Sequence, residues 1–245
     1  MQNNILKNII TISALTASMF IGCAQNNLPE EQDTTRQGSD AAKIEAIVKE
    51  LQAKFATENQ KANGKDEGSD QYTLKNNLFD KVDGAKNQKY SHADNIEQRK
   101  NIYGSIDWNV DTIKKFGKIL GDLEGSAHKA NWAKDLLGAG EKIQDEVQKA
   151  LKLIDDKKDK LNTLSLDKLK TLQGHVNTLE NAKKTWITFV NTLVNDHEND
   201  KDTIKNNTQN LATYLQREYK NPLPTLGQNS EQARQAIETI TNAIK

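Results

Sequence analysis

A chain of 245 residues with 34 basic and 34 acidic side chains carries no net charge, which argues against a nucleic-acid partner, because phosphate binding draws on a basic excess. Mean hydropathy is -0.80 and aromatics make up only 5%, yet the apolar residues recur at regular spacing, so disorder is excluded for most of the chain. A single cysteine has no disulfide partner within the chain, and stability must come from packing.

Residues 1–22 read as a bacterial export signal. Lys7 precedes an apolar or small-residue run from Ile9 to Ile21, shorter than the roughly 20 apolar residues that span a bilayer. Phe20-Ile21-Gly22-Cys23 then sets the thiol directly after a small residue, where lipidation and cleavage would leave Cys23 as a membrane-anchored N-terminus. Two or more acyl chains hold a protein stably at a membrane, at about 0.8 kcal/mol per buried methylene. Residues 23–40 are polar, lack apolar periodicity and are expected to form a flexible tether. The folded body is expected over residues 41–245.

Within that body Ile44, Ile47, Val48, Leu51 and Phe55 fall on one helical stripe. Asn59 to Ser69 reads as a solvated loop, and Tyr72 to Val82 as a short helix ended by Asp83-Gly84. Ser91 or Asp94 is placed to cap a longer helix carrying Ile96, Ile102, Tyr103, Ile106, Val110, Ile113, Phe116 and Leu120. Gly121 to Ser126 reads as a turn. The helix from Ala127 to about Ile154 turns Trp132, Leu136, Leu137, Ile143, Val147, Leu151 and Ile154 inward, and Asp155 to Asp159 connects onward.

Leu169, Leu172, Val176, Leu179, Trp186, Val190 and Leu193 then alternate in steps of three and four, with one seven-residue gap filled by Ala182 and Lys183. That spacing belongs to a central bundle helix. Asp196 to Asp202 interrupts it, and Ile204 to Tyr219 forms another helix. Asn221-Pro222-Leu223-Pro224 is expected to stop the chain, because proline removes a donor and fixes φ. Ser230 would cap a last helix bearing Ala233, Ile237, Ile240 and Ile244. No strand pattern competes. The fold is therefore read as all-α, a single-domain bundle of about six to seven helices.

Catalytic chemistry finds no foothold. His92, His128, His175 and His197 lack zinc-protease spacing, since His197-Glu198 is not followed by a second histidine. Neither a phosphate-cradling glycine loop nor a Gly-x-Ser-x-Gly elbow is present. No catalytic residue, metal or cofactor is assigned, and the chain is not read as an enzyme. Asp196, Glu198, Asp200 and Asp202 alternate like calcium ligands, but Lys201 and Asn207 occupy the positions where that loop needs glycine and glutamate. Gly117 and Gly121, four apart, signal close helix packing or a helix end. Trp108, Trp132 and Trp186 read as core anchors.

Asn101-Ile102-Tyr103-Gly104-Ser105-Ile106-Asp107-Trp108, followed by Ile113-Lys114-Lys115-Phe116, lies in a Lys/Asn-rich helical body behind a lipoprotein signal. This arrangement resembles the surface lipoproteins of Borrelia, the Lyme spirochaete, and in particular the family that includes the complement-regulator-acquiring surface proteins. The resemblance covers about Ala41 to Tyr219. It implies an all-helical domain displayed on the outer membrane and used against the host, with a complement component, a complement regulator such as factor H, or plasminogen as ligand.

In the factor-H-binding member the C-terminal helix exchanges between two subunits. Here the match weakens after Tyr219, at the paired prolines, and the body is expected to be monomeric. No ligand-contact residues carry over. Lys245 joins an ammonium to a free carboxylate, the zwitterion that lysine-binding modules of plasminogen recognise, and is the one candidate plasminogen contact, in a helix end expected to fray. The alternative reading is a structural or periplasm-facing lipoprotein with no host ligand.

Overall fold

The computed structural model describes residues 33–220 and 222–244, and throughout them the chain is all-α. In order the helices are α1 (Asp33–Ala62), α2 (Ile96–Ser105), α3 (Val110–Glu124), α4 (Trp132–Asp155), α5 (Leu166–Glu198), α6 (Thr208–Glu218) and α7 (Pro222–Asn242). Turns and short 3-10 or π-helical segments join them, the longest connection running from Asn63 to Asn95, and the extended pairing among the described residues is one isolated antiparallel bridge between Asp83 and Lys89. From Ser39 onward the chain forms one compact unit.

The longest helix organises the rest. Ser165 starts α5 by accepting the Lys168 N–H on its hydroxyl at 3.4 Å. Every residue of the expected stripe is buried, and so are Ala182 and Lys183 in its gap. The first half of α5, Leu169 to Leu179, packs with Val147, Ala150, Leu151 and Ile154 of α4, Ala233 and Ile237 of α7, and Leu51 of α1. The second half, Trp186 to Val194, packs instead with Ile102 and Tyr103 of α2, Phe116 and Leu120 of α3, Leu136 and Ile143 of α4, and Leu211 of α6. Two apolar clusters thus share α4 and α5 as a spine, and α7 lies along both helices.

The helix expected from Ser91 or Asp94 to Leu120 is two helices. Asp107 and Trp108 adopt left-handed φ values of 54° and 57° between them. Such values are costly for large side chains, and burial offsets them, because the Trp108 ring packs 5.6 Å from that of Tyr103. Asn109 then caps α3 by accepting the Thr112 N–H at 3.1 Å. Neither Ser91 nor Asp94 is the cap. His92 fills that role for the turn ahead of α2, its Nδ1 accepting the Asp94 N–H at 3.2 Å.

Tyr72 to Val82 is likewise not a regular helix but a series of turns around Lys75–Phe79 that buries Leu74, Leu78, Phe79 and Val82. These turns explain Gly117 and Gly121. A Cβ on Gly121 would stand 2.8 Å from the Asn77 carbonyl oxygen, and one on Gly117 would stand 2.5 Å from the Leu74 side chain. Both lie inside α3, so the turn expected at Gly121 begins at Gly125. Close packing is the correct reading of the pair.

Both ends of the body depart from expectation in the same sense. α1 begins at Asp33, within the segment expected as tether, because once nucleated a helix adds one hydrogen bond per residue and runs past its apolar stripe. α7 begins at Pro222 and contains Pro224, since N–H groups of a first turn have no intrahelical partner to lose. Ser230 is therefore interior rather than a cap, and its hydroxyl donates to the Leu226 carbonyl at 2.9 Å.

Leu179→Ala should lower stability by about 2–5 kcal/mol through lost burial and a residual cavity. Gly121→Ala should cost about 1–3 kcal/mol through overpacking, whereas Gly174→Ala, with nothing within 4 Å of its Cβ, should be neutral or stabilising. Urea denaturation of the three variants checks the order. A Leu179→Ala midpoint equal to that of Gly174→Ala would place Leu179 outside the core.

Candidate functional site

Burial of charge shows where the fold holds polar groups rigidly. The Arg99 guanidinium, 3% exposed, donates through Nε and Nη2 to the Glu67 carboxylate at 2.9 and 2.6 Å. Its Nη1 donates to the carbonyls of Tyr90 and His92 at 2.6 and 2.8 Å, and the Tyr103 hydroxyl donates to Glu67 at 2.9 Å. Burial alone would lower the Arg99 pKa, but the hydrogen bonds and charge of Glu67 outweigh it and raise it. The loop after α1, expected to be solvated throughout, is therefore pinned to α2 at Glu67.

A second set, buried at Lys183 and Gln144 and open at Asp107 and Lys61, sits where the two apolar clusters meet. Lys183 Nζ donates to Glu58 Oε1 at 2.5 Å and lies 3.0 Å from Asp107 Oδ1, while Lys61 reaches Asp107 at 2.7 Å. Gln144 donates to the same Glu58 oxygen at 2.8 Å. Burial pushes the Glu58 carboxyl up, yet Lys183, Gln144 and Lys61 together bring it below its ordinary value. Asp107 follows the same balance, burial against Lys61 and Lys183, and is also lowered. Beside this set Trp186 Nε1 donates to the Ser105 hydroxyl at 2.9 Å, and Gly140 admits both, since a Cβ there would lie 2.7 Å from Ser105 Oγ.

Two clefts flank α4. The first, about 460 Å³, runs between α1, α4 and α5, with Val147, Leu151 and Ile187 as apolar floor and the Glu58–Lys183–Asp107 set at one end. Its charges neutralise one another inside the protein. The second, about 690 Å³, opens between the start of α4, the end of α6 and the start of α7. Half-buried Trp132 forms one wall, Ala139 and Leu223 the floor, and Asp135, Lys142 and Lys220 the rim. Ligand clefts commonly hold roughly 300–1,000 Å³ with an apolar floor and a few polar groups. The second cleft has that make-up, with the partly buried Trp132 on its wall. Its residues come from three helices and their flanks, and of them the sequence singles out Trp132 as a core anchor and Leu223 and Pro224 as part of a chain stop. Trp108 and Trp186 are indeed buried anchors, whereas Trp132 is only partly buried and packs against the edge of the same core.

The residues singled out by sequence do not converge. Cys23 and Lys245 lie outside the described residues. Just before Lys245, Ile244 is buried in the α4–α5–α7 cluster and its carbonyl accepts from Lys157 at 3.2 Å, so the chain end is packed through Ile244 rather than frayed. The alternating acids each take a separate partner. Asp196 accepts from the Tyr214 hydroxyl and from Lys201, Glu198 pairs with Lys115, Asp200 accepts the Lys205 N–H, and Asp202 pairs with Arg217. Among the described residues no three histidine, cysteine or acidic side chains cluster as a metal site. Also among those residues, no helix is long and apolar enough to cross a membrane.

The sequence profile of the family described as "Borrelia Bbcrasp-1 domain containing protein" matches residues 61–242. A comparison with curated protein sequences gives no match. Among solved structures, the Borrelia spielmanii protein BSA64, orthologous to B. burgdorferi BBA64, is similar at 19% identity and a TM-score of 0.75, over 83% of this chain and 99% of that one. The Lyme-disease-associated outer surface protein BBA65 of B. burgdorferi is similar at 24% identity and a TM-score of 0.69, over 79% and 98%. The membrane attack complex assembly inhibitor BGA71 of Borreliella bavariensis is similar at 21% identity and a TM-score of 0.51, over 75% and 98%.

Two titrations should be separable in the stability of the protein. Burial lowers the pKa of His197 below its ordinary 6.5, with Lys118 and Lys205 adding to the effect and Asp122 and Asp200 opposing it. The unfolded chain then binds the proton more readily, so the His197 contribution is present above 6.5 and lost as pH falls toward the folded value. Glu58 and Asp107, lowered from 4.5 and 3.8, contribute above those values, and their share is lost as pH falls through the folded values beneath them. Urea midpoints measured from pH 7 to pH 3 should show a shallow loss and then a steep one. His197→Gln should flatten the first alone; an unchanged slope between pH 7 and 5 would remove His197 from the account.

Proposed function

This chain belongs to the Borrelia family defined by the Bbcrasp-1 domain, and we propose that it is a lipid-anchored protein of the bacterial outer surface that binds host serum proteins. The family match over residues 61–242 carries this reading. Of the similar structures, BBA65 is an outer surface protein, and BGA71 is an inhibitor of membrane attack complex assembly. Complement proteins are accordingly the leading ligand class. The anchor is the diacylated Cys23 at the end of the export signal, and the polar residues that follow lift the body from the membrane.

The geometry supports binding over catalysis. The buried charges are committed to one another as structural pairs, whereas the second cleft presents an apolar floor, an indole face and a charged rim to solvent. Aromatic side chains in such a setting dominate the energetics of protein interfaces. We assign the ligand contact to this cleft, with Trp132 as its anchor and Lys142 and Lys220 on its rim.

Host serum passed over immobilised residues 24–245 should retain a complement component. Trp132→Ala should cut that retention about tenfold or more while leaving the helical circular dichroism intact. Retention equal to wild type would move the contact elsewhere, and a serum that leaves nothing bound would remove the host-ligand reading. Plasminogen as the retained protein, lost on deletion of Lys245, would shift the ligand to the terminal lysine. Protease treatment of intact cells should clip the protein, and survival there would favour the periplasm-facing alternative. Cys23→Ala should move the folded protein to the soluble fraction; membrane retention after a high-salt wash would exclude the lipid anchor.

A further inference from the structure

The spine helices α4 and α5 each bury a continuous face, but α1 does not. From Asp40 to Ala62 only Leu51 is fully buried, while Ile44, Ile47, Val48 and Phe55 are partly covered. Small Ala53 and Thr57 line the first cleft, so α1 bridges the groove between α4 and α5 without filling it. The rest of its attachment is polar. Lys54 reaches Glu180 at 2.6 Å, Gln173 donates to Glu50 at 2.5 Å, and Gln52 donates to the Lys158 carbonyl at 3.4 Å. Exposed pairs of this kind hold weakly and are screened by salt, so the polar hold on α1 falls mainly on Glu58, bonded to Lys183 and Gln144.

The chain also has a pivot. Asn63 to Asp66 is exposed, and Gly64 takes a φ of 69° that favours glycine. Immediately beyond, the Arg99 clamp fixes Glu67 to the body. Motion of α1 is therefore confined to a short segment with a firm anchor behind it. Lifting α1 about this pivot would uncover Val147, Leu151 and Ile187 and would withdraw Glu58 from Lys183, a lysine 6% exposed.

We propose that α1 is a displaceable strap, and that the groove beneath it accepts the α1 helix of a second copy in exchange. The vacated groove asks for apolar side chains spaced as Ile44, Ile47, Val48, Leu51 and Phe55 are, with a carboxylate in the place of Glu58 to meet Lys183. The second copy supplies that pattern in register, and no new contact has to be invented. At rest the tethered α1 wins, because a linked segment has an effective concentration on the order of millimolar over its own groove. Exchange requires only that the pivot open while another α1 is near.

The test uses the full chain with Cys23→Ala and, as probe, a fluorescent peptide of residues 40–62. In native-state hydrogen exchange, amides from Ile44 to Lys61 should exchange at least tenfold faster than the buried amides of α4 and α5. Replacing Glu50→Ala, Lys54→Ala and Glu58→Gln together weakens the strap and changes no residue of the groove, where Lys183 and Gln144 are left for the carboxylate that the peptide brings. That variant should capture the wild-type peptide saturably and at least tenfold more tightly than the parent does, with unlabelled peptide competing. Exchange of α1 amides at the same rate as α4 and α5 would overturn the strap. A variant whose α1 opens but which captures no peptide would overturn the groove as acceptor.

Discussion

The structure depends on two helices that serve two cores at once. α4 gives Leu136 and Ile143 to one apolar cluster and Val147 to Ile154 to the other, and α5 divides in the same way on either side of Ala182 and Lys183. A continuous helix cannot shift one half without carrying the other, because each residue is hydrogen-bonded to its neighbours one turn away. The clusters are therefore mechanically joined although their side chains are distinct. At the joint the packing turns polar, with Lys183, Gln144 and Glu58 on one side and Trp186 with Ser105 on the other. A buried charge set of this kind adds little net stability, but removing one member strands the others without a partner.

How much of this can be read in advance follows from the range of each interaction. The α5 stripe was legible because its signal is local and periodic. Ala182 and Lys183 were also legible as the fillers of its gap, but the partner of Lys183 was not, since Glu58 stands 125 residues away. The break at Asp107 and Trp108 is not legible in sequence, because a tryptophan in a left-handed conformation goes against local preference and is held there by contact with Tyr103. Gly117 and Gly121 showed that something approaches closely without showing what. Asn221-Pro222-Leu223-Pro224 was read as a stop, although proline is equally at home in a first helical turn.

The second cleft was the least legible feature, because its walls come from the starts of α4 and α7 and the end of α6 and share no sequence pattern. Trp132 reads as a core residue, and only the assembled fold shows that it packs at the edge of the core and lines the cleft. Weak sequence similarity to BSA64, at 19% identity with a TM-score of 0.75, fits this division of labour. A bundle core asks only for apolar side chains of suitable volume and spacing, so two chains can share it at low identity. Ligand preference in such a fold resides in cleft and rim residues, so it must be argued from the site and not from the shared architecture.

A mechanically joined spine is testable with probes that the chain already carries. Trp108 and Trp186 lie within the cluster around α2 and α3, and Trp132 packs against it, so tryptophan fluorescence follows that cluster alone. Leu172 is fully buried in the other cluster. The most direct measurement is the urea midpoint of Leu172→Ala read by tryptophan fluorescence. The account predicts that fluorescence reports a loss of about 2–5 kcal/mol, the same as a probe placed in the damaged cluster. A fluorescence midpoint unchanged from wild type, with the damaged half melting alone, would contradict it.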